Sequence, residues 1–254
     1  MLAAGAARAA QFAAAVTPPR FELKGKAGEV LRDVVRITNL GNVPGEFEVR
    51  TADWSLKQDG SVNIYGDELQ PGSCRPWTRI ERHRVRLAAE GEQTYRFEVH
   101  IPKDAASGEC RFAILFEQPQ ESADSMAMGD LNVPIVGRIA LIVYVTVGDA
   151  QPELSLKGAK RIDRNGQTLP ALSIENSGAA HGRPQGLLRG VTAKGRQINL
   201  VLSPSPILPG ETRDVPLWPV DESNDPVKDL QFPVTINGNL EWPEGKVSVD
   251  TVVQ

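Results

Sequence analysis

The sequence has little of what most catalysis and metal binding require. Its 254 residues include only three histidines and two cysteines. The histidines His83, His100 and His181 stand in contexts that form no catalytic or zinc-binding pattern. No Gly-x-Ser-x-Gly, Walker loop, His-Glu-x-x-His or Gly-x-Gly-x-x-Gly occurs. Cys110 in "ECR" has no positioned base beside it to make it a nucleophile. The chain is therefore not read as an enzyme, and no cofactor or metal is expected. Aromatic residues are 6% of the total, with Trp54, Trp77, Trp218 and Trp242 dispersed, so no aromatic cluster of the kind a carbohydrate module uses is evident. No strong charge field exists either. With 28 Lys and Arg against 32 Asp and Glu, the net charge is -4, which speaks against nucleic acid and anionic membrane as partners.

Long hydrophobic runs are missing as well. The most apolar stretch, "LNVPIVGRIALIVYVTV" at 131–147, is shorter than the roughly 20 residues a membrane-spanning helix needs. It is also interrupted by Pro134, Gly137 and Arg138, so no membrane insertion is expected. Val, Ile and Tyr dominate it, which favours an extended strand over a helix.

A helical pattern occurs only at the start, "MLAAGAARAAQFAAAV". The Ala-x-Ala step at Ala7 to Ala9 matches the end of a secretory signal, although the basic segment that opens such signals is missing. Two readings of residues 1–15 stand: the remnant of a signal peptide, with the mature chain starting near Ala10, or a disordered or short helical N-terminus. In the first, Cys74 and Cys110 work in an oxidising compartment, where a single pair is more often a disulfide than a metal or catalytic site.

Elsewhere the periodicity is two. "EVLRDVVRITN", "GEFEVRTADW", "RHRVRL", "TYRFEVHI" and "CRFAILFE" alternate or cluster β-formers between turn signals. After Gly148 the pattern restarts with "PELSLKG", "LPALSIENSG" and five further segments. With 23 glycines and 19 prolines spread along the chain, this is an all-β sequence. The halves echo each other. "FELKG…RITNLGN" and "LSLKG…SIENSGAA" each carry an apolar strand ending in Asn-x-Gly, at Asn39 and Asn176. "LAAEGEQTYRFEV" and "ILPGETRDVPL" share a Gly-Glu turn. The sequence thus predicts two immunoglobulin-like β-sandwich domains in tandem, 16–149 and 150–254. In that strand order the strand from Pro76 and the strand from Cys110 begin at the same end of the first sandwich, so Cys74 and Cys110 can meet.

The segments "PPRFELKGKAGEVLRDVVRITNLGNVPGEFEVRTADW", "PWTRIERHRVRLAAEGEQTYRFEVHIP", "SGECRFAILFE" and "VPIVGRIALIVYV" resemble the first domain of the periplasmic chaperones of chaperone–usher pilus assembly. "IENSGAAHGRPQGLLRGVTAKGRQINLVLSPSPILPGETR" resembles the second domain of divergent members. The resemblance implies a periplasmic chaperone that lends a β-strand to a fimbrial subunit lacking its own last strand, and passes the subunit to an outer-membrane usher. Such strand lending is a known form of β-augmentation. Leu131, Val133 and Ile135, which share one face of a strand, match the lent strand. Pro134 removes one backbone donor, as an edge strand tolerates. The resemblance also implies that Arg20, with Arg138 as partner within about two residues of register, anchors the client's C-terminal carboxylate. The family's Arg-Pro exit from the last strand of the first domain is replaced by "YVTVGD", and the chain is slightly acidic where many members are basic. Two other readings remain at this point. Residues 131–147 are the closing strand of the sandwich, in whole or with the part to Ile135 serving the client and "IALIVYV" seated in the core, or the whole chain is an extracellular immunoglobulin-like adhesion module without chaperone activity.

Overall fold

The computed structural model describes residues 13–119, 124–128, 131–135 and 137–254. The chain divides into two compact units. One runs to Ser55 and includes Val62–Ala106 and Cys110–Gly148; the other comprises Leu56–Ser61, Ser107–Glu109 and Asp149–Gln254. Among the described residues no helix is long and apolar enough to cross a membrane.

The first unit is a β-sandwich of immunoglobulin type. One sheet holds β1 (Ala14–Thr17), β3 (Val30–Asn39), β9 (Glu92–His100) and β7 (Thr78–Ile80), in that order. The other holds β2 (Arg20–Gly25), β13 (Arg138–Val147), β10 (Gly108–Glu117), β4 (Gly45–Ala52) and β8 (Arg84–Leu87). Two short hairpins stand apart as sheets of their own, β5 (Trp54–Leu56) with β6 (Val62–Ile64), and β11 (Asp124–Met128) with β12 (Leu131–Ile135). The alternation seen in the sequence becomes the inner face. In β9, Tyr95, Phe97 and Val99 are buried while Arg96 points out. Phe21, Phe97, Phe112, Tyr95 and Phe116 meet edge-on, with centroids 5.2 to 6.5 Å apart, a favoured arrangement of ring quadrupoles. β10 is buried on both faces, since Ala113 and Leu115 are as covered as Phe112 and Ile114. This explains why "CRFAILFE" reads as a continuous apolar run.

Two expectations need correction. Residues 1–12 lie outside the described residues, but Ala14 and Ala15 are neither helix nor tail. They open β1, which pairs antiparallel with β3 from Ala14↔Asn39 to Thr17↔Arg36. Ala14 and Val16 pack against the core. A short alanine segment is only marginally helical by itself, so a ladder plus core contact wins. Pro18 and Pro19, which have no N–H to donate, break the ladder, and the chain leaves one sheet for the other at β2. The second correction concerns 131–147. It is two strands, β12 and β13, and not one.

The second unit consists of β14 (Leu154–Arg164), β15 (Gln167–Asn176), β18 (Thr212–Val220), β17 (Gln197–Leu202), β16 (Leu187–Thr192), β19 (Val234–Trp242) and β20 (Gly245–Val253), in that spatial order. β18 joins two layers. Its first half pairs with β15 up to Pro216, and its second half, from Leu217, pairs with β17. A separate core of Leu172, Ile174, Leu188, Leu200, Val215, Leu217 and Ile236 fills this unit.

The sequence echo has a structural basis. Asn39 Nδ2 donates to Val43 O (2.7 Å) and Ala88 O (2.9 Å), and Gly41 N donates to Asn39 Oδ1 at 3.0 Å. Asn176 repeats the pattern: its Nδ2 donates to Ala180 O (2.8 Å) and Ile207 O (2.9 Å), and Gly178 N donates to its Oδ1 at 3.0 Å. Ala88 and Ile207 each precede the glycine of a Gly-Glu turn by three residues. Both side chains are buried and have their amide groups satisfied by the backbone of the turn, Ala88 O and Ile207 O accepting in addition from Gly91 N and Gly182 N. Gly178 cannot be larger, because a Cβ there would lie 2.4 Å from Gln151 O.

Candidate functional site

The features singled out in the sequence concentrate around β13. From Ile142 onward this strand is covered on one side by β2, in parallel register from Ile142↔Arg20 to Val147↔Gly25, and on the other by β10. Its first four residues, Arg138 to Leu141, lie before that register begins, so β2 does not cover them. Ile142 N donates toward this side, to Pro19 O at 3.3 Å. Strand backbone groups alternate sides, so the N–H and C=O of Ala140 point to the same side as those of Ile142, ahead of the β2 ladder. Just before it, β12 pairs with β11 from Leu131↔Met128 to Ile135↔Asp124 in a sheet of two strands. Leu131, Val133 and Ile135 therefore alternate along β12, with Pro134 level with Ser125. The core face of β13 carries Leu141, Val143, Val145 and Val147, all buried.

The two arginines are not neighbours. Arg20 opens β2 level with Ile142, and β2 and β13 run parallel. Arg138 thus lies four residues earlier in register, roughly 13 Å along the strand. Each has its own carboxylate. Arg20 Nε is 2.8 Å from Glu22, with both side chains about half exposed. Arg138 forms a close ion pair with Glu117 of β10. Glu117 also binds Arg50 of β4, Nε to Oε2 at 2.6 Å and Nη2 to Oε1 at 3.2 Å. A charged row thus crosses three strands, and its central carboxylate is mostly buried. The charge amid apolar neighbours at 138 has found a partner. Glu117 and Arg50 were not legible as that partner, because only the register of β13, β10 and β4 brings them together.

Cys74 and Cys110 form a disulfide with their Cα atoms 5.5 Å apart. It ties a 3-10 turn at Arg75–Trp77, stacked ahead of β7, to the start of β10. Beside it Trp54 donates to Phe112 O at 3.1 Å, meets Tyr144 edge-on at 5.3 Å, and lies under the Arg111 guanidinium. Asp53 accepts from Gln70 N at 2.9 Å and faces Arg75 at 3.6 Å.

The histidines take structural places. His83 contacts Val49 O, and His100 contacts Glu98. His181, in the turn after β15, has a largely buried side chain, with Nδ1 2.6 Å from the buried Glu109 carboxylate. Among the described residues no group of three His, Cys, Asp or Glu side chains could hold a metal ion.

No protein-family model matches the chain, and no curated protein matches it in sequence. Solved structures do match. The class 5 fimbriae chaperone CfaA aligns with a TM-score of 0.50 at 12% identity, over 94% of this chain and 99% of its own. A chain of a chaperone–tip adhesin complex in CFA/I fimbriae biogenesis aligns with the same score and identity, over 94% of this chain and 98% of its own. The chain has the two-domain β-sandwich fold of the fimbrial chaperones.

Proposed function

We propose that this chain is a periplasmic chaperone that captures fimbrial subunits by lending them a strand edge and passes them to an outer-membrane usher. The observation that carries this reading is that, among the described residues, the β2 ladder does not reach β13 at Arg138 to Leu141, the part that follows the small β11–β12 sheet. Unpaired backbone groups on an edge are a template for another strand, and β-augmentation uses such an edge for affinity and alternate side chains for specificity. Leu131, Val133 and Ile135 supply alternate apolar positions just ahead of it. Arg20 and Arg138 mark the two ends of the stretch in which β13 enters the β2 ladder. The fold shared with fimbrial chaperones supports the same assignment.

Replacing Val133 by Asp tests it. Placed against a subunit's groove, the new carboxylate would be buried without a partner, so a co-expressed fimbrial subunit should no longer co-purify. The free variant should melt close to the wild type. A sharp drop in its own melting temperature would instead make Val133 part of this protein's core and remove it from the lent strand.

A further inference from the structure

The outer face of the second unit's larger sheet carries a pattern that strand lending does not use. On this face β18, β17, β16, β19 and β20 present three rows, set by their registers. The first is Trp218, Val201 and Leu187, paired across three strands. All three are exposed, Leu187 at 62% and Trp218 at 37%. The second is Val220, Asn199, Arg189, Asn237 and Asp250, in which Asn237 donates to Asp250 at 2.7 Å. The third is Gln197, Val191, Thr235 and Val252. Arg189, Gln197, Asn199 and Asn237, with Glu222 from the turn after β18, line an open hollow of about 560 Å³. That volume falls within the range of small-ligand sites.

The chemistry narrows the occupant. A peptide strand cannot add here, because β17, β16 and β19 already have neighbours on both sides and the site is a face, not an edge. A phosphate or other anion is poorly matched, since Arg189 is the single cation and stands with Glu222 and Asp250. A metal ion has no ligand cluster among the described residues. What remains is a dense set of planar groups, three carboxamides, a guanidinium and a carboxylate. A carboxamide can engage two adjacent hydroxyls as donor to one and acceptor from the other, while the guanidinium donates to hydroxyl oxygens and the carboxylate accepts from hydroxyl hydrogens. One row along the sheet, outside the lining of the hollow, stands the part-exposed Trp218 with Val201 as its neighbour, an aromatic side chain of the kind that can cover the C–H face of a sugar ring. The tryptophans are dispersed in the sequence, and only the β17–β18 register places Trp218 beside the amide row.

We infer that this face binds a neutral oligosaccharide, with Trp218 as the stacking platform and Asn199, Asn237, Gln197 and Arg189 as the hydroxyl-reading groups. The inference is independent of the chaperone assignment. Calorimetric titration of the intact protein with chitohexaose, cellohexaose and maltohexaose tests it. At least one should bind saturably, and Trp218→Ala and Asn237→Ala should each weaken that binding about tenfold or more without lowering the melting temperature. Absence of binding by all three sugars would overturn it, as would binding left intact in both variants. So would loss of fimbrial-subunit capture in Trp218→Ala with no sugar bound, which would make the face a protein interface.

Discussion

At the scale of single residues, Tyr95 shows how burial sets a measurable property. Its side chain is fully enclosed, and its hydroxyl donates to Arg82 O while accepting from Arg82 N. Burial pushes its pKa up from 10.0 to about 12, because the phenolate would lose its water; the backbone contact at Arg82 only partly opposes this. The folded state therefore holds this proton more tightly than the unfolded chain. The resulting stability is complete below about pH 10 and is lost as pH rises toward 12. Tyr95→Phe should melt lower at neutral pH, by about 1 kcal/mol for the lost hydrogen bonds, and should show a flatter decline between pH 10 and 12. Melting curves of both proteins across that range check it, and parallel declines would mean that another group titrates there. Asn39 and Asn176 make a second point at this scale. Their Asn-x-Gly signature was legible because one side chain closes the same buried turn in both units, whereas Arg138 gave no hint of Glu117, whose approach depends on strand register.

Among the elements, β13 carries the proposed function. Even-numbered residues at its start direct backbone groups to the side of β2, and odd-numbered ones toward β10. Proline scanning separates the two. Ala140→Pro removes an N–H that points away from β10, on the side where the β2 ladder has not begun, so the variant should fold with a small loss of stability and lose subunit capture. Leu141→Pro removes one directed at β10 and disturbs a buried side chain, so it should cost several kcal/mol and unfold the first unit. Equal destabilisation by both would mean that the edge at 140 is already occupied. Periodicity found most of these elements, because alternating burial writes itself into β3, β9, β16 and β17. It missed β1, whose alanines read as helix until β3 offered a ladder, whereas the Pro134, Gly137 and Arg138 interruptions do fall where β12 gives way to β13.

For the whole molecule, two units with separate cores imply two unfolding transitions. The disulfide joins residues 36 apart within the first unit. In the chain-entropy account it contributes about 3 to 4 kcal/mol by restricting the unfolded chain. Reduction should therefore lower one calorimetric transition and leave the other in place. A shift of both would show that the units unfold together. The tandem repeat was readable from the echo of its two halves, and the fold it implied is the one the structure has. Where the β2 ladder along β13 begins was not readable, because it depends on strand register.

The central claim is that a fimbrial subunit completes the edge of β13. Hydrogen–deuterium exchange of the intact protein, alone and with a fimbrial subunit from the same genome, tests it most directly. The account predicts that the amides of Arg138 and Ala140 become protected on binding, together with amides of Leu131–Ile135, while those of Val143 and Val145 stay as slow as before. A subunit that binds without slowing exchange anywhere in 131–141 would contradict it.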